Sequence, residues 1–376
     1  MNFIDVTKVQ RLSKYIPSSP TCTPHPNIAF IKVHKCGSST TQAIFMRYGF
    51  EHDLVVALPR EVISPWIGCG SVIRPQHAMK LPPGTKWNIF THHTIYDKTN
   101  FERFMPKNTR FVAILRHPMS RIKSAFNYFH LEKNLPGMAA RGRLLELPIQ
   151  TYLKNPAYWD AVFVKPDKCI PDECVKNCMA KDLGLQQDID NNQRAVTKFI
   201  KGIERDFTLV MIMEYFDHSL VMLKRRLCWT LRDILYNSRQ YKSKNYNYKS
   251  SNSTIITKEM EDNYRLSSAV DHALYAYFNQ SLWSKIQEEG SEDFLGEVRH
   301  FQTILVSVWR FCAVRNQTAR LRMKASPWND EFVVDRRLCS NLRKQRWQWD
   351  LDIRDKLDQQ FYQKASGKKD QVNGLW

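Results

Sequence analysis

One run of the sequence, residues 27–49, predicts a β-strand, a polar loop and an α-helix in direct succession. Residues 27–33 are mostly apolar and β-branched, residues 34–38 are small or polar, and the residues that follow carry Ile44 and Tyr48 at helical spacing. In such a run the loop points several backbone N–H groups at one spot, where the helix N-terminus adds partial positive charge. The run therefore predicts an α/β fold with an anion-binding loop.

The side chains of this loop also favour an anion. Lys32 and Lys35 supply positive charge, and Ser38, Ser39 and Thr40 supply hydroxyl donors. The pattern differs from the GxxxxGK[ST] loop of nucleoside triphosphatases, because the lysines precede the only glycine. A Ser-Ser-Thr run alone would indicate an ordinary helix cap. Two lysines beside it favour a ligand that carries phosphate or sulfate.

A second strand-to-helix junction lies in residues 110–129. Arg116 falls at the C-terminal end of an apolar strand, Pro118 suits the first turn of the next helix, and Ser124 lies two turns further on. Arginine can place two N–H donors on one phosphate. Taken alone, Arg116 would be an ordinary surface arginine. Parallel strands bring their carboxyl ends to one edge of a sheet, however, so both junctions should face one crevice.

Five motifs resemble the galactose-3-O-sulfotransferase family, which includes the galactosylceramide sulfotransferases. They are FIKVHKCGSST (30–40), NIFTHH (88–93), ILRHPMSRIKSAFNYF (114–129), DLG (182–184) and EYFDHSLVMLKRRLCW (214–229). The first and last are the most specific, whereas DLG alone carries no weight. The resemblance covers residues 27–312 and implies an α/β fold with a central parallel sheet and flanking helices, the P-loop NTPase-like sulfotransferase fold.

The resemblance implies the sulfate donor PAPS (3'-phosphoadenosine-5'-phosphosulfate), whose 5'-phosphosulfate the first loop would hold. Arg116 and Ser124 would bind its 3'-phosphate. The full set of donor-binding residues is then Lys32, His34, Lys35, Cys36, Gly37, Ser38, Ser39, Thr40, Arg116 and Ser124. The chain departs from the family pattern at Cys36 and Gly37, where threonine or alanine-like residues are usual, and at His117, where an aspartate often follows the arginine.

Sulfuryl transfer needs positioned cations and a base for the acceptor hydroxyl. We assign Lys35 to the sulfonyl and bridging oxygens, Lys32 to the 5'-phosphate and His93 to the base. Residues 87–90 predict a strand with His92 and His93 at its C-terminal end, so the two side chains should point to opposite faces. His93 matches the recurrent histidine of the family, and His92 and His34 are the alternatives. The ordinary histidine pKa of about 6.5 predicts that activity falls below neutral pH.

The resemblance implies transfer to the 3-hydroxyl of a terminal β-galactose on a glycolipid or glycoprotein. No metal is expected, because the sulfuryl group carries less charge than a γ-phosphate and no acidic strand end is evident opposite the loop. The residues alone leave three alternatives open: transfer to a different glycan hydroxyl, an ATP-dependent kinase, and a non-enzymatic basic protein that binds glycans.

The chain is strongly basic, with 56 lysines and arginines, 37 aspartates and glutamates and a net charge of +19. Such a field suits an anionic donor, and also heparin-like glycans, nucleic acid and acidic membranes. In residues 313–376 the basic side chains alternate with Asp350, Asp352, Asp355 and Asp358, which predicts a solvated helix face with i,i+4 pairs. We therefore expect no nucleic-acid partner, and a basic helical extension packed on the catalytic domain.

Several later stretches predict further elements. They are a strand at 207–213, an amphipathic helix at 214–227, and helices within 258–278 and 294–311. Residues 62–86 and 237–254 lack periodicity and predict surface loops that could shape an acceptor groove. We assign the catalytic domain to residues 27–312.

Nine cysteines favour a lumenal protein with some disulfides over a zinc module. Three N-x-[ST] sequons begin at Asn252, Asn279 and Asn316, where N-glycans would be attached. The resemblance implies a Golgi membrane protein with an N-terminal anchor and a lumenal catalytic domain, yet residues 1–26 contain no apolar run long enough to span a bilayer. Two interpretations are open: an incomplete chain or catalytic region of such a protein, and a soluble variant of it; we favour the first.

Overall fold

The computed structural model describes residues 22–62, 64–68, 70–138, 147–163, 174–237, 255–314 and 319–363. Its strands are β1 (Ile28–Ile31), β2 (Ile89–Phe90), β3 (Arg110–Leu115), β4 (Phe207–Ile212), β5 (Leu321–Met323) and β6 (Phe332–Val334). Its helices are α1 (Ser38–Glu51), α2 (Lys98–Phe104), α3 (Pro118–Phe129), α4 (Pro148–Lys154), α5 (Pro156–Ala161), α6 (Cys178–Asp182), α7 (Gln193–Asp206), α8 (Phe216–Leu227), α9 (Lys258–Ser267), α10 (Ala269–Glu288), α11 (Ser291–Ala313), α12 (Arg336–Arg343) and α13 (Arg346–Asp358).

Four strands form a parallel sheet in the order β2-β1-β3-β4. Ile28 of β1 lies opposite Ile89 on one side and opposite Arg110 on the other. The chain passes from β1 to β2 on one side and returns to β3 on the other, so the strand order reverses at β1. Ligands of open α/β sheets bind beyond the carboxyl ends of the strands at such a reversal. The predicted α/β architecture with a central parallel sheet and flanking helices is confirmed.

The sheet lies at the centre of the core because its strands are apolar on both faces. All four residues of β1 are buried, and so are five of the six residues of β3. Such continuous burial is typical of parallel strands that helices cover on both sides. Helix α1 contributes the buried side chain of Phe45, and α8 contributes Leu220. The polar loops at the strand ends are thereby fixed on a rigid support.

The C-terminal helix α13 packs against α1. Its Trp349 is fully buried, and the ring centroid lies 5.5 Å from that of Phe50. The expectation of a solvated helix face is wrong for Asp350, which is also fully buried. Its carboxylate pairs with His92 and with Arg346, one turn earlier in the same helix. A carboxylate can occupy a core position when it has such partners, and the charge pattern of the segment did not reveal them.

Two predicted elements differ in their bounds. The strand expected at residues 87–90 is limited to β2, because the N–H of Trp87 donates to the carbonyl of Phe104 instead of joining the sheet. The helix expected from residue 214 begins with a 3-10 turn at Met213–Tyr215 and continues as α8. The helices expected further along the chain are confirmed as α9, α10 and α11.

Only one of the two predicted surface loops lies mainly within the described residues. The described residues of the segment 62–86 contain no helix or strand apart from a 3-10 turn at Pro75–His77, and Ile67 and Ile73 are buried. The expected loop at 237–254 lies outside the described residues after Asn237. The first loop is therefore anchored in the core.

Three disulfides join described cysteines, which confirms the prediction of some disulfide bonds. They are Cys22–Cys228, Cys174–Cys178 and Cys312–Cys339. Asn279 is half-buried in α10, while Asn252 and Asn316 lie outside the described residues, so N-glycosylation stays a prediction. Within the described ranges, no helix has the length and apolar character needed to cross a membrane.

Candidate active site

The loop after β1 turns sharply before α1 begins. Lys35 and Gly37 have positive φ angles of +63° and +77°, and Gly37 is the N-cap residue of α1. This left-handed backbone favours glycine at position 37, because a side chain there would be strained. A Cβ on Gly37 would also lie 2.2 Å from Sδ of Met213, just beyond β4. The glycine thus keeps the loop close to the sheet edge and adds no capping side chain over the first N–H groups of α1.

Lys35 and Arg116 meet at this edge. Nη1 of Arg116 donates to the carbonyl oxygen of Lys35 at 3.3 Å. The contact follows from the strand order, since β1 and β3 are neighbours and each residue follows the end of its strand. Nζ of Lys35 lies 3.4 Å from the ring centroid of Tyr128, near the end of α3. The two predicted anchors are therefore on the same side of the molecule and in direct contact.

The other predicted donor-binding residues of the loop and of α3 differ in exposure. Lys32, Cys36 and Ser38 are buried, Thr40 and Ser124 are half-buried, and Ser39 is exposed. Burial raises the pKa of the Cys36 thiol well above its usual value. Cys36 therefore acts as a small packed residue and not as a reactive thiolate.

Two histidines come into face-to-face contact where β1 and β2 end. The ring centroids of His34 and His93 are 3.9 Å apart, with an angle of 10° between the planes. Both residues are buried. The strand order again accounts for the contact, because β2 is the other neighbour of β1. His34, a predicted donor-binding residue, is therefore stacked on His93, the predicted base, and it directly precedes Lys35 in the chain.

His34 is held by Asp182, the last residue of α6. The backbone N–H of His34 donates to Oδ2 of Asp182 at 2.8 Å, and its Nδ1 lies 2.9 Å from Oδ1 and 2.8 Å from Oδ2. The carbonyl oxygen of Asp182 accepts a bond of 3.0 Å from the N–H of Tyr96, which follows β2. Asp182 opens the DLG motif, and its role depends on a partner 148 positions earlier in the chain.

The pKa of His93 is lowered well below its usual value, first by burial and then by the charges of His34, Lys32 and His92. The ring is therefore neutral at pH 7, which is the form that a base requires. Its Nδ1 is buried and has no hydrogen-bond partner among the described residues. The expected fall of activity below neutral pH used the ordinary histidine pKa, and the lowered pKa of His93 moves the predicted fall to lower pH.

His92 points the other way. Its side chain is fully buried, and Nε2 lies 3.0 Å from Oδ1 of Asp350. Burial lowers the pKa of His92, and the Asp350 carboxylate opposes this shift. Neighbouring residues of an extended segment face opposite sides, so His92 faces α13 while His93 faces the loop after β1. Of the two histidines, His93 is the one at the candidate site.

Sequence reasoning missed three residues of this region. Tyr128 and Asp182 lie inside motifs that carried the family resemblance, so their positions within those motifs were the available signal. Asp350 lies outside every such motif, and its charge pattern indicated solvent exposure. Contacts between distant parts of the chain, which a single sequence does not display, bring Asp182 and Asp350 to this region.

Comparison with known proteins identifies the family. The family model for galactose-3-O-sulfotransferase matches residues 6–356. The chain belongs to the galactose-3-O-sulfotransferase family. This sulfotransferase is 29% identical to galactosylceramide sulfotransferase of Bos taurus over 312 residues, which cover 79% of the chain and 68% of the relative.

Two further relatives agree with this assignment. Galactose-3-O-sulfotransferase 3 of Mus musculus is 29% identical over 329 residues, covering 84% of the chain and 71% of the relative. Galactosylceramide sulfotransferase of Homo sapiens is 30% identical over 288 residues, covering 75% of the chain and 62% of the relative. The aligned part of the sulfotransferase thus spans 62% to 71% of the length of these relatives. The resemblance drawn from the five motifs is confirmed.

Proposed function

We propose that this sulfotransferase transfers the sulfuryl group of PAPS to the 3-hydroxyl of a terminal β-galactose on a glycolipid or glycoprotein. The observation that carries the proposal is the meeting of the Lys35 loop with Arg116 on one side and with His93 on the other. A ligand bound there has cations for its anionic groups and a neutral base for the acceptor hydroxyl. The 3-position and the galactose come from the names of the relatives.

The donor is proposed to lie across the carboxyl ends of β1 and β3, in a fold of the P-loop NTPase-like sulfotransferase type. The chain offers suitable groups to bind PAPS there. Lys32, Lys35 and Arg116 are cations, and the N-terminus of α1, with Gly37 as its N-cap, supplies backbone N–H groups. Lys35 neutralises the sulfonyl and bridging oxygens, and Lys32 the 5'-phosphate. The backbone of residues 36–40 serves as the analogue of an oxyanion hole. Arg116 and Ser124 bind the 3'-phosphate.

In the proposed reaction the acceptor oxygen attacks sulfur in line with the leaving phosphate oxygen. The bond from sulfur to the bridging oxygen breaks, and the nucleotide leaves as adenosine 3',5'-bisphosphate with that oxygen. The hydroxyl proton passes to Nδ1 of His93. Charge builds on the bridging oxygen as the bond breaks, so Lys35 stabilises the transition state more than the bound donor.

The acceptor is proposed to enter beside Trp66, in the loop of residues 62–86. Trp66 forms a β-bridge with His93, so this loop runs directly beside the base. An aromatic residue at this place suits the apolar face of a galactose ring. The family relationship favours the Golgi lumen as the site of action.

The test is incubation of the full chain with radiolabelled PAPS and a panel of acceptors with terminal β-galactose, followed by location of the label. We expect label on the 3-hydroxyl, and roughly a hundredfold lower turnover in Lys35→Ala, about 3 kcal/mol of transition-state stabilisation. Lys98→Ala is the matched control, since Lys98 is an exposed lysine paired with Asp206 away from the loop. Label on another hydroxyl would refute the regiochemistry.

Two results would favour the alternatives. A kinase would be stabilised against heat by ATP with magnesium and not by adenosine 3',5'-bisphosphate. In a non-enzymatic glycan-binding protein, Lys35→Ala would leave glycan binding nearly unchanged, and no acceptor would receive label.

A further inference from the structure

We propose that Asp182 is a positioning residue for sulfuryl transfer, which fixes the tautomer and ring plane of His34 and, through the ring stack, supports His93. The inference rests on the proposed function. Its basis is the pair of contacts that one carboxylate makes to one residue, at 2.8 Å to the backbone N–H and at 2.8 Å to Nδ1 of His34.

These contacts determine the tautomer. An ionised carboxylate only accepts hydrogen bonds, so Nδ1 of His34 carries a hydrogen that faces Asp182. In the neutral form of the ring, Nε2 is then the nitrogen with the lone pair. The same carboxylate also accepts the backbone N–H of His34, so one side chain fixes both the main chain and the ring of this residue.

The effect reaches His93 through the stack. With 3.9 Å between centroids and nearly parallel planes, the His34 ring forms one wall of the space that His93 occupies. The carbonyl of Asp182 also binds the N–H of Tyr96, three residues after His93. The neighbouring Gly184 packs so closely on that segment that a Cβ would lie 2.6 Å from the carbonyl oxygen of Tyr96. The end of α6 therefore joins the loop after β1 to the segment after β2.

The sign of its charge argues that Asp182 acts by orientation. A carboxylate beside a site for an anionic donor repels that donor and lowers its affinity. Asp182 is hydrogen-bonded to the loop that carries Lys35. Because its carboxylate and the donor are both negatively charged, Asp182 cannot improve donor binding by attraction. Its benefit then has to lie in the geometry of the histidine pair, and it should appear in turnover more than in binding.

The test compares Asp182→Asn with the wild-type full chain. Asparagine can still accept the backbone N–H, but its amide donates to Nδ1 and moves the ring hydrogen to Nε2. We expect turnover to fall by about 10² to 10⁴, the range found for general-base steps and for a changed tautomer. The dissociation constant of adenosine 3',5'-bisphosphate should not rise, because the variant removes a charge that repels the nucleotide. Turnover within threefold of wild type would overturn the proposal.

A spectroscopic readout separates positioning from a merely structural role. Long-range ¹H–¹⁵N spectra of histidine-labelled protein report the tautomer of each ring, and the His34 signals are assigned by their loss in His34→Gln. We expect the Nδ1–H tautomer in the wild type and the Nε2–H tautomer in Asp182→Asn. An unchanged tautomer in the variant would overturn the proposal. Asp188→Asn is the control, because Asp188 is an exposed carboxylate close by in sequence that pairs with Lys176.

Failure of the proposed function would remain distinguishable from failure of this inference. If the wild type labels no acceptor, the proposed function is refuted, and the tautomer of His34 alone decides the role of Asp182. If Asp182→Asn does not fold, Asp182→Glu replaces it, since glutamate keeps an acceptor for Nδ1 but shifts the ring. The Nδ1–H tautomer with reduced turnover would then support the proposal, and wild-type turnover would overturn it.

Discussion

Replacement of Gly37 by alanine combines two separable costs. The first is the left-handed backbone at φ +77°, which costs an L-residue roughly 1–2 kcal/mol. The second is the approach of the new Cβ to 2.2 Å from Sδ and 2.6 Å from Cε of Met213, far inside contact distance. Both atoms belong to a flexible side chain, so Met213 or the loop has to move. We expect the loop to move in part, because Met213 packs against the core.

The matched control is Gly84→Ala. Gly84 has φ +82°, and a Cβ built there meets no atom within 4 Å, so this variant carries the backbone cost alone. Unfolding entropy scales with length and amounts to about 0.8 kcal/mol per kelvin for 376 residues. The backbone cost then lowers the melting temperature by about 1–3 °C in Gly84→Ala, and Gly37→Ala should lose more.

The decisive assay is kcat/KM for PAPS. A donor loop shifted by a few tenths of an ångström should lose about tenfold to a hundredfold in kcat/KM, whereas Gly84→Ala should stay within twofold of wild type. In a double-mutant cycle, Met213→Ala should restore part of the loss in Gly37→Ala, because it removes the clash and leaves the φ strain. The reasoning is refuted if Gly37→Ala and Gly84→Ala have the same melting temperature and the same kcat/KM.

Three further predictions follow from the site. The ring face of Tyr128 holds Nζ of Lys35 at 3.4 Å, and such a contact contributes about 0.5–1 kcal/mol. Tyr128→Ala should therefore lower kcat/KM by about twofold to fivefold, whereas Tyr128→Phe keeps the ring and should not. Equal losses in both variants would contradict this. Asp350→Ala should destabilise the fold by roughly 3 kcal/mol in chemical denaturation, since it leaves buried partners unpaired, and Asp350→Asn should lose less. Since burial depresses the pKa values of His92 and His93, their stabilising effect is present above pH 6.5 and is lost as pH falls towards the folded-state pKa values; melting temperatures that rise from pH 7 to pH 5.5 would contradict this.

Local sequence was sufficient for the elements that carry the donor loop. The strand at β1, the helix α1 and the junction before α3 were predicted because each has its own periodicity and its own boundary residue, such as Pro118 in the first turn of α3. The parallel sheet followed from the alternation of such units. The P-loop NTPase-like classification, the domain bounds and the roles of the site residues stay predictions.

Contacts between distant segments were not predictable from one sequence. By sequence, Asp182 and Asp350 are ordinary charged helix residues, and only the fold shows that each carboxylate pairs with a histidine that follows a strand of the sheet. The lowered pKa of His93 was not predictable either, because burial is its largest cause and burial depends on how distant segments pack. The reference pKa of histidine therefore does not describe His93 in its buried position, and the role of His93 as the base stays a prediction.

The strand order gives the candidate site two halves that share one loop. The β1–β3 pairing brings Arg116 to Lys35 and forms the donor half, and the β1–β2 pairing brings His93 to His34 and forms the base half. Because the two halves lie on opposite sides of β1, a substitution in one can act without displacing the other. Loss of a donor contact should therefore weaken nucleotide binding at unchanged histidine tautomers, whereas loss of Asp182 should change the tautomer and spare nucleotide binding. A variant that changed both would show that the loop itself, and not either pairing, sets the geometry of the site.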